Sequence, residues 1–295
     1  MRKVLVEKLV AALLTGYLVA TLHWTKVVLL YIVLGQGHFL IAYLYQFKAG
    51  KMNRGYLTVA AGSLLLITGV YLRWPHYRAL VAVTTIYFLV HMLLDELYLM
   101  RFPMNLRESP MNFARALEMT PVFLLYSARV VEALFSRFRW GSTTLGDLAL
   151  YLSWASLAAY LILLLRGRHR PDGQSAYFLS WSALLLWAVH SGWLVRIPTG
   201  KLTGFIIIYH YLAWYLHYFL NLPPGPKRST YSFRVLGINA LVLTCFGVWG
   251  QKGPGRYFFQ NDYFYIWTLL HLITSTRLSD IKGLFRPPTV SPPSG

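Results

Sequence analysis

Long apolar runs separated by short polar breaks organise the chain. Ten segments stand out, at 4–22, 27–47, 56–73, 79–100, 118–136, 147–165, 176–195, 202–221, 232–250 and 262–279. Each has about the length with which an α-helix crosses some 30 Å of hydrocarbon. The pattern predicts an all-α fold, a polytopic transmembrane bundle of about 10 helices. The breaks carry Pro, Gly and basic residues, as in Trp74-Pro75-His76, Arg168-His169-Arg170-Pro171 and Pro223-Pro224-Gly225-Pro226-Lys227-Arg228. A longer stretch from Arg101 to Ala116 reads as interfacial. Residues 1–285 form one transmembrane domain, and the Pro-rich tail 286–295 reads as unstructured. Met1-Arg2-Lys3 ahead of the first run resembles the start of a signal peptide, but no small-residue cleavage site follows, so the run is read as a retained helix.

Composition agrees: 56% of residues are hydrophobic and 13% charged, with mean hydropathy +0.47, well above a water-soluble domain. The formal charge of +18 would suggest nucleic acid if it formed a patch. It lies between the apolar runs instead, where basic residues anchor loops at lipid headgroups and set orientation. The alternation is regular. The N-terminus (Arg2, Lys3, Lys8) and the breaks after the second (Lys48, Lys51, Arg54), fourth (Arg101, Arg107, Arg115), sixth (Arg166, Arg168, Arg170) and eighth (Lys227, Arg228, Arg234) segments carry three basic residues each, as does the C-terminal side (Arg277, Lys282, Arg286). The intervening breaks carry one or two, which places both termini in the cytoplasm and excludes a nucleic-acid partner. The single cysteine, Cys245, lies in an apolar run and excludes an intramolecular disulfide.

Ionisable groups are expensive at membrane depth, so those kept there mark candidate chemistry. His23, His76 and His169 fall near breaks, whereas His38, His91, His190, His210, His217 and His271 fall inside apolar segments. All but His190 lie on even-numbered segments, which share one direction. His38, His91 and His217 precede a cytoplasmic-side basic residue by ten positions and His271 by eleven, which puts them in one layer. His210 is two turns from His217 on nearly the same face, about 10 Å away along the axis. Imidazoles from several helices at one depth are the donor set for iron, copper or zinc inside a bundle. The expected ligands are His38, His91, His271 and one or both of His210 and His217. Asp95, one turn from His91, is expected to ligate the metal or orient an imidazole, while Glu96 points elsewhere and reads as interfacial. His190 is read as an interhelical contact.

Tyr209, Tyr211, Trp214, Tyr215 and Trp267 neighbour these histidines and could wall a cavity for a long apolar ligand, although most aromatics in such a chain form interfacial belts. The chain has no Gly-rich phosphate loop, paired-cysteine metal motif or nucleophilic serine motif, and it lacks the clustered histidine boxes of membrane desaturases.

The order of histidine-bearing helices resembles the bacterial and archaeal Brp/Blh family of membrane β-carotene 15,15′-dioxygenases. Gly37-His38, His91 with Asp95, the pair His210 and His217, and His271 carry the likeness. The pair is more widely spaced here, and no Asp neighbours His38 or His271. The resemblance implies a non-haem iron held by four histidines in a prokaryotic cytoplasmic membrane, a dioxygenase reaction, and an apolar tunnel for a carotenoid. Two rival readings remain. One is a haem protein of the cytochrome b kind, which needs one facing histidine pair. The other is a transporter in which His38, His91 and Asp95 line a polar path.

Overall fold

In the computed structural model, residues 2–73, 77–101, 113–135, 139–140 and 142–275 are described. His76, most of the 101–116 stretch, the end of the tenth segment and the tail 286–295 lie outside them. The described chain is helical: α1 (Arg2–Thr21), α2 (Trp24–Lys48), α3 (Arg54–Arg73), α4 (Tyr77–Arg101), α5 (Phe113–Leu134), α6 (Leu145–Leu165), α7 (Gly173–His190), α8 (Trp193–Arg196), α9 (Thr199–Asn221), α10 (Pro226–Trp249), α11 (Arg256–Phe259) and α12 (Asn261–Ser275). Before α6, two-residue strands pair Arg139 with Thr144 and Trp140 with Thr143. All ten apolar segments are thus helical over their described parts, as α1–α7, α9, α10 and α12.

Five of these helices are long and apolar enough to cross a membrane: α2, α3, α4 over Tyr77–Leu97, α6 and α10. Arg115, Glu118, Arg129 and Glu132 stand in α5 and set it apart from these five. For α12 only 15 residues are described.

Two helix starts are capped by side chains, which satisfy backbone N–H groups left open there. Thr144 and Asp147 form a reciprocal capping box at the start of α6, and Asp172 with Ser175 does the same for α7. Pro121 interrupts α5 and cannot donate to the carbonyl of Leu117, four residues back. Ser156 of α6 takes that acceptor through its Oγ at 2.8 Å, and Ser182 of α7 donates to the next carbonyl, Glu118 O, at 3.2 Å. The proline site is therefore cross-linked to both neighbours.

Burial divides the helices. α3 has no buried residue and α10 only Tyr231 and Val242, so both present apolar side chains outward. α9 is buried along most of its length and, with α4, forms a partition through the interior. On one side α2 and α12 pack against the pair; on the other stand α1, α5 and α7. Gly35 and Gly204 allow the close approach of the first group. A Cβ at Gly35 would meet Phe264 Cε2 at 2.6 Å and Tyr211 OH at 2.8 Å, and one at Gly204 would run into Val27 Cγ1.

Candidate functional site

Four of the expected histidines converge on the α2/α12 side of the partition. His38 (α2), His91 (α4), His210 (α9) and His271 (α12) are all buried. Their rings form a closed circuit, with centroids 5.3 Å apart for His38 and His210, 5.5 Å for His210 and His91, 6.1 Å for His91 and His271, and 5.3 Å for His271 and His38. The circuit alternates between helices, so removing any one helix opens it.

Asp95 closes the α4–α9 edge. Its Oδ2 lies 3.1 Å from Nε2 of His91 and 3.8 Å from Nε2 of His210, and it accepts a hydrogen bond from Nε1 of Trp214 at 3.0 Å. His91, Asp95 and His210 each offer a ligand atom within 4.8 Å of the other two. Trp214 thus fixes the carboxylate that faces both imidazoles.

Aromatic rings jacket the circuit. Tyr211 stacks on His38 at 4.6 Å and Phe39 on His271 at 4.7 Å, while Phe88 meets His210 edge-on at 5.1 Å. Trp214 and Tyr215 also lie near His38, at 6.4 and 6.2 Å. The other two aromatic candidates are elsewhere. Tyr209 faces the opposite side of the partition, where its hydroxyl lies 2.5 Å from that of Tyr177. Trp267 stacks on Phe258 and donates to Tyr257 O.

His217 is seated in a different polar group. Its Nδ1 lies 3.3 Å from Oε2 of Glu7 on α1, with Asn221 bridging both residues. His217 stands at the expected depth only when depth is counted from Lys227. That residue belongs to α10, beyond the Leu222–Gly225 turn, and is a poor marker for α9. Measured from the helix ends themselves, His38 is ten residues from Lys48, His91 ten from Arg101 and His210 eleven from Asn221, so His210 is the member at matching depth.

Several charges read as interfacial are interior. Glu96 is buried on α4 and lies 2.6 Å from Nζ of Lys8 on α1, a contact whose angles fall outside hydrogen-bond geometry. Arg115 is buried against Glu118 and also donates to both oxygens of Asp172 at 2.9 Å. His169, assigned no role by sequence, lies 3.3 Å from Oε1 of Glu118. His190 bonds the Leu186 carbonyl of its own helix and packs against Trp154 of α6.

The donors of His91, Asp95 and His210 fit a metal ion, with the His38 and His271 rings beside them. Imidazoles bound at about 2.0–2.1 Å put ring centres about 3.2 Å from the ion, hence about 4.6 Å apart at right angles and about 5.3 Å at the tetrahedral angle. The circuit's edges of 5.3–6.1 Å exceed the right-angle spacing, so His38 and His271 would have to move inward to join the His91, Asp95 and His210 donors, which already lie within 4.8 Å of one another. Both ring nitrogens of His210 are buried without a hydrogen-bond partner among the described residues. Such atoms cost about 1–3 kcal/mol each if left unsatisfied, and a bound cation would satisfy one of them. Comparison with protein-family models, with curated proteins and with solved structures gives no match for this chain.

Proposed function

We propose that this protein is a multi-pass membrane oxygenase with one non-haem iron held by His38, His91, His210 and His271, acting on a lipid-soluble substrate from the bilayer. In this reading all ten long helices cross the membrane with both termini cytoplasmic, the arrangement the basic residues favour. The observation that carries the proposal is the four-imidazole circuit with Asp95 on its edge, where the His91, Asp95 and His210 donors lie within 4.8 Å of one another and neither His210 nitrogen makes a hydrogen bond among the described residues. Imidazole donors without thiolate suit iron as they do zinc, copper and nickel, and the likeness to Brp/Blh is what favours iron. The likeness to Brp/Blh makes a carotenoid the first substrate to try.

When bound, the iron supplies dioxygen activation. The chain supplies the rest. Four imidazoles bind from four helices, and Asp95, held by Trp214, orients His91 and His210. Tyr211, Phe39 and Phe88 exclude water from the ring faces.

Metal analysis of the purified protein tests the reading. The wild type is expected to hold about one iron per chain and to show no strong Soret band, and His91→Ala to lose most of the iron. The iron-loaded wild type is expected to cleave β-carotene to retinal and the variant not to. Equal iron in both proteins removes His91 from the site, and a strong Soret band replaces the non-haem assignment with a haem.

A further inference from the structure

The partition has a second side. There α1, α4, α5, α7 and α9 enclose a cavity of about 640 Å³ that none of the four clustered histidines lines. Its wall on α9 runs from Pro198 to Tyr209, a rise of about 16 Å, and its wall on α7 from Tyr177 to Ala188 is of similar length. The cavity is thus a slot parallel to the helices. Most of the wall is apolar, with Leu93, Val122, Leu185 and Ile206 among its residues.

The two ends differ in chemistry. At the inner end Glu96, Tyr177 and Tyr209 close the slot, and their polar atoms are engaged by Lys8 and by one another. At the other end, where α7 passes through α8 into α9, the lining includes Arg196, Lys201, Trp187 and Trp193. Arg196, Trp187 and Trp193 are exposed there, and among the described residues no acidic one lines this end. Indoles beside cations are the side chains of the membrane–water boundary. An apolar slot of this length with an uncompensated cationic mouth complements a molecule with an apolar chain and an anionic head.

We propose that this cavity binds an anionic phospholipid, with the phosphate at Arg196 and Lys201 and one acyl chain running inward toward Tyr177 and Tyr209. Guanidinium and ammonium recognise phosphate directly, and the chain replaces what would otherwise be an empty apolar void. The site is independent of the histidine cluster, because α4 and α9 stand between them.

Native mass spectrometry of the detergent-purified full chain, titrated with phosphatidylglycerol, phosphatidylcholine or oleate, tests this. One phosphatidylglycerol is expected to be retained, at least about tenfold more tightly than phosphatidylcholine or oleate, with Arg196→Gln/Lys201→Gln reducing it to the phosphatidylcholine level. Both side chains stand at the mouth, and an unchanged unfolding midpoint in this variant checks that the fold is intact. Gly16→Leu fills the slot from a position where a Cβ meets only Phe205, at 4.0 Å, and is expected to abolish retention while leaving metal content unchanged. Equal retention of phosphatidylglycerol and phosphatidylcholine by the wild type, tighter binding of oleate, or undiminished phosphatidylglycerol in the double variant would each overturn the proposal.

Discussion

Tyr209 and His210 are consecutive residues of α9 that face opposite compartments. His210 joins the histidine circuit, and Tyr209 borders the cavity with its hydroxyl 2.5 Å from that of Tyr177. About 100° of helical rotation separates neighbouring side chains, enough to put them on two sides of a partition one helix thick. Substitutions at the two positions should therefore be separable. His210→Ala is expected to lose bound metal. Tyr209→Phe is expected to keep it and to lower stability by about 1 kcal/mol through the lost hydroxyl contact, read as the unfolding midpoint in detergent. Loss of metal from Tyr209→Phe would show that the partition does not insulate the two sides.

Trp214 donates the one indole hydrogen bond to Asp95 Oδ2, the oxygen that also faces His91 and His210. Removing the donor leaves all five potential ligands present but loosens the carboxylate. Partners of this kind typically change metal affinity by about 10–100-fold. Trp214→Phe should weaken iron binding by that range in a competition titration with a chelator. An affinity within twofold of wild type would mean that packing alone holds Asp95.

Much of this was legible in the sequence, and what was not has a physical cause. Apolar runs report helices because length and hydrophobicity set them, and all ten proved helical over their described residues. Depth was legible wherever a helix ends at a basic residue, as at Lys48 and Arg101, and misleading at Lys227, which follows a turn. Lys8 and Arg115 were counted as loop charges because a sequence shows their sign but not their partners, Glu96 on α4 and Asp172 before α7. Those pairings depend on helix neighbours that periodicity leaves open. The cavity had no sequence signal, since its wall is made of the same Leu, Val, Ile and Phe as any core.

Lys8 and Glu96 are both nearly inaccessible, with side-chain exposure of 2%, so their charges depend on each other. Removing one partner from a buried pair costs about 3–5 kcal/mol, whereas replacing both with apolar residues of similar volume is often neutral. Lys8→Met alone should lower the unfolding midpoint markedly, and Lys8→Met with Glu96→Leu should recover most of the loss. A double variant as unstable as the single one would mean that Glu96 is needed for its contacts with Tyr177 and Tyr209 instead.

Gly204 sits where α9 presses on α2, and a side chain there would collide with Val27. Gly204→Val should destabilise by about 1–3 kcal/mol through overpacking. On α3, Gly62 has nothing within 4 Å of its ideal Cβ, so Gly62→Ala should be neutral or stabilising by up to about 1 kcal/mol. Similar unfolding midpoints for the two variants would contradict the close α2–α9 approach.

Asp172 couples the start of α7 to α5, and its titration gives a pH-dependent test. Partial burial pushes its carboxyl pKa up, but hydrogen bonds from the Ser175 N–H and the Arg115 guanidinium, the charge of Arg115 and the Gln174 N–H outweigh this and hold it below the ordinary value of 3.8. A carboxylate with a depressed folded-state pKa contributes stability that is fully present above its unfolded value and disappears as pH falls through the folded one. The contribution is modest because the side chain is 49% exposed and solvent screens it. Asp172→Asn keeps a competent helix cap while removing the charge. The wild type should unfold at a higher temperature than this variant above about pH 5, and the gap should close as pH falls toward about 2. A gap that persists undiminished at the acid end would trace the difference to shape or capping, not to the carboxylate charge beside Arg115.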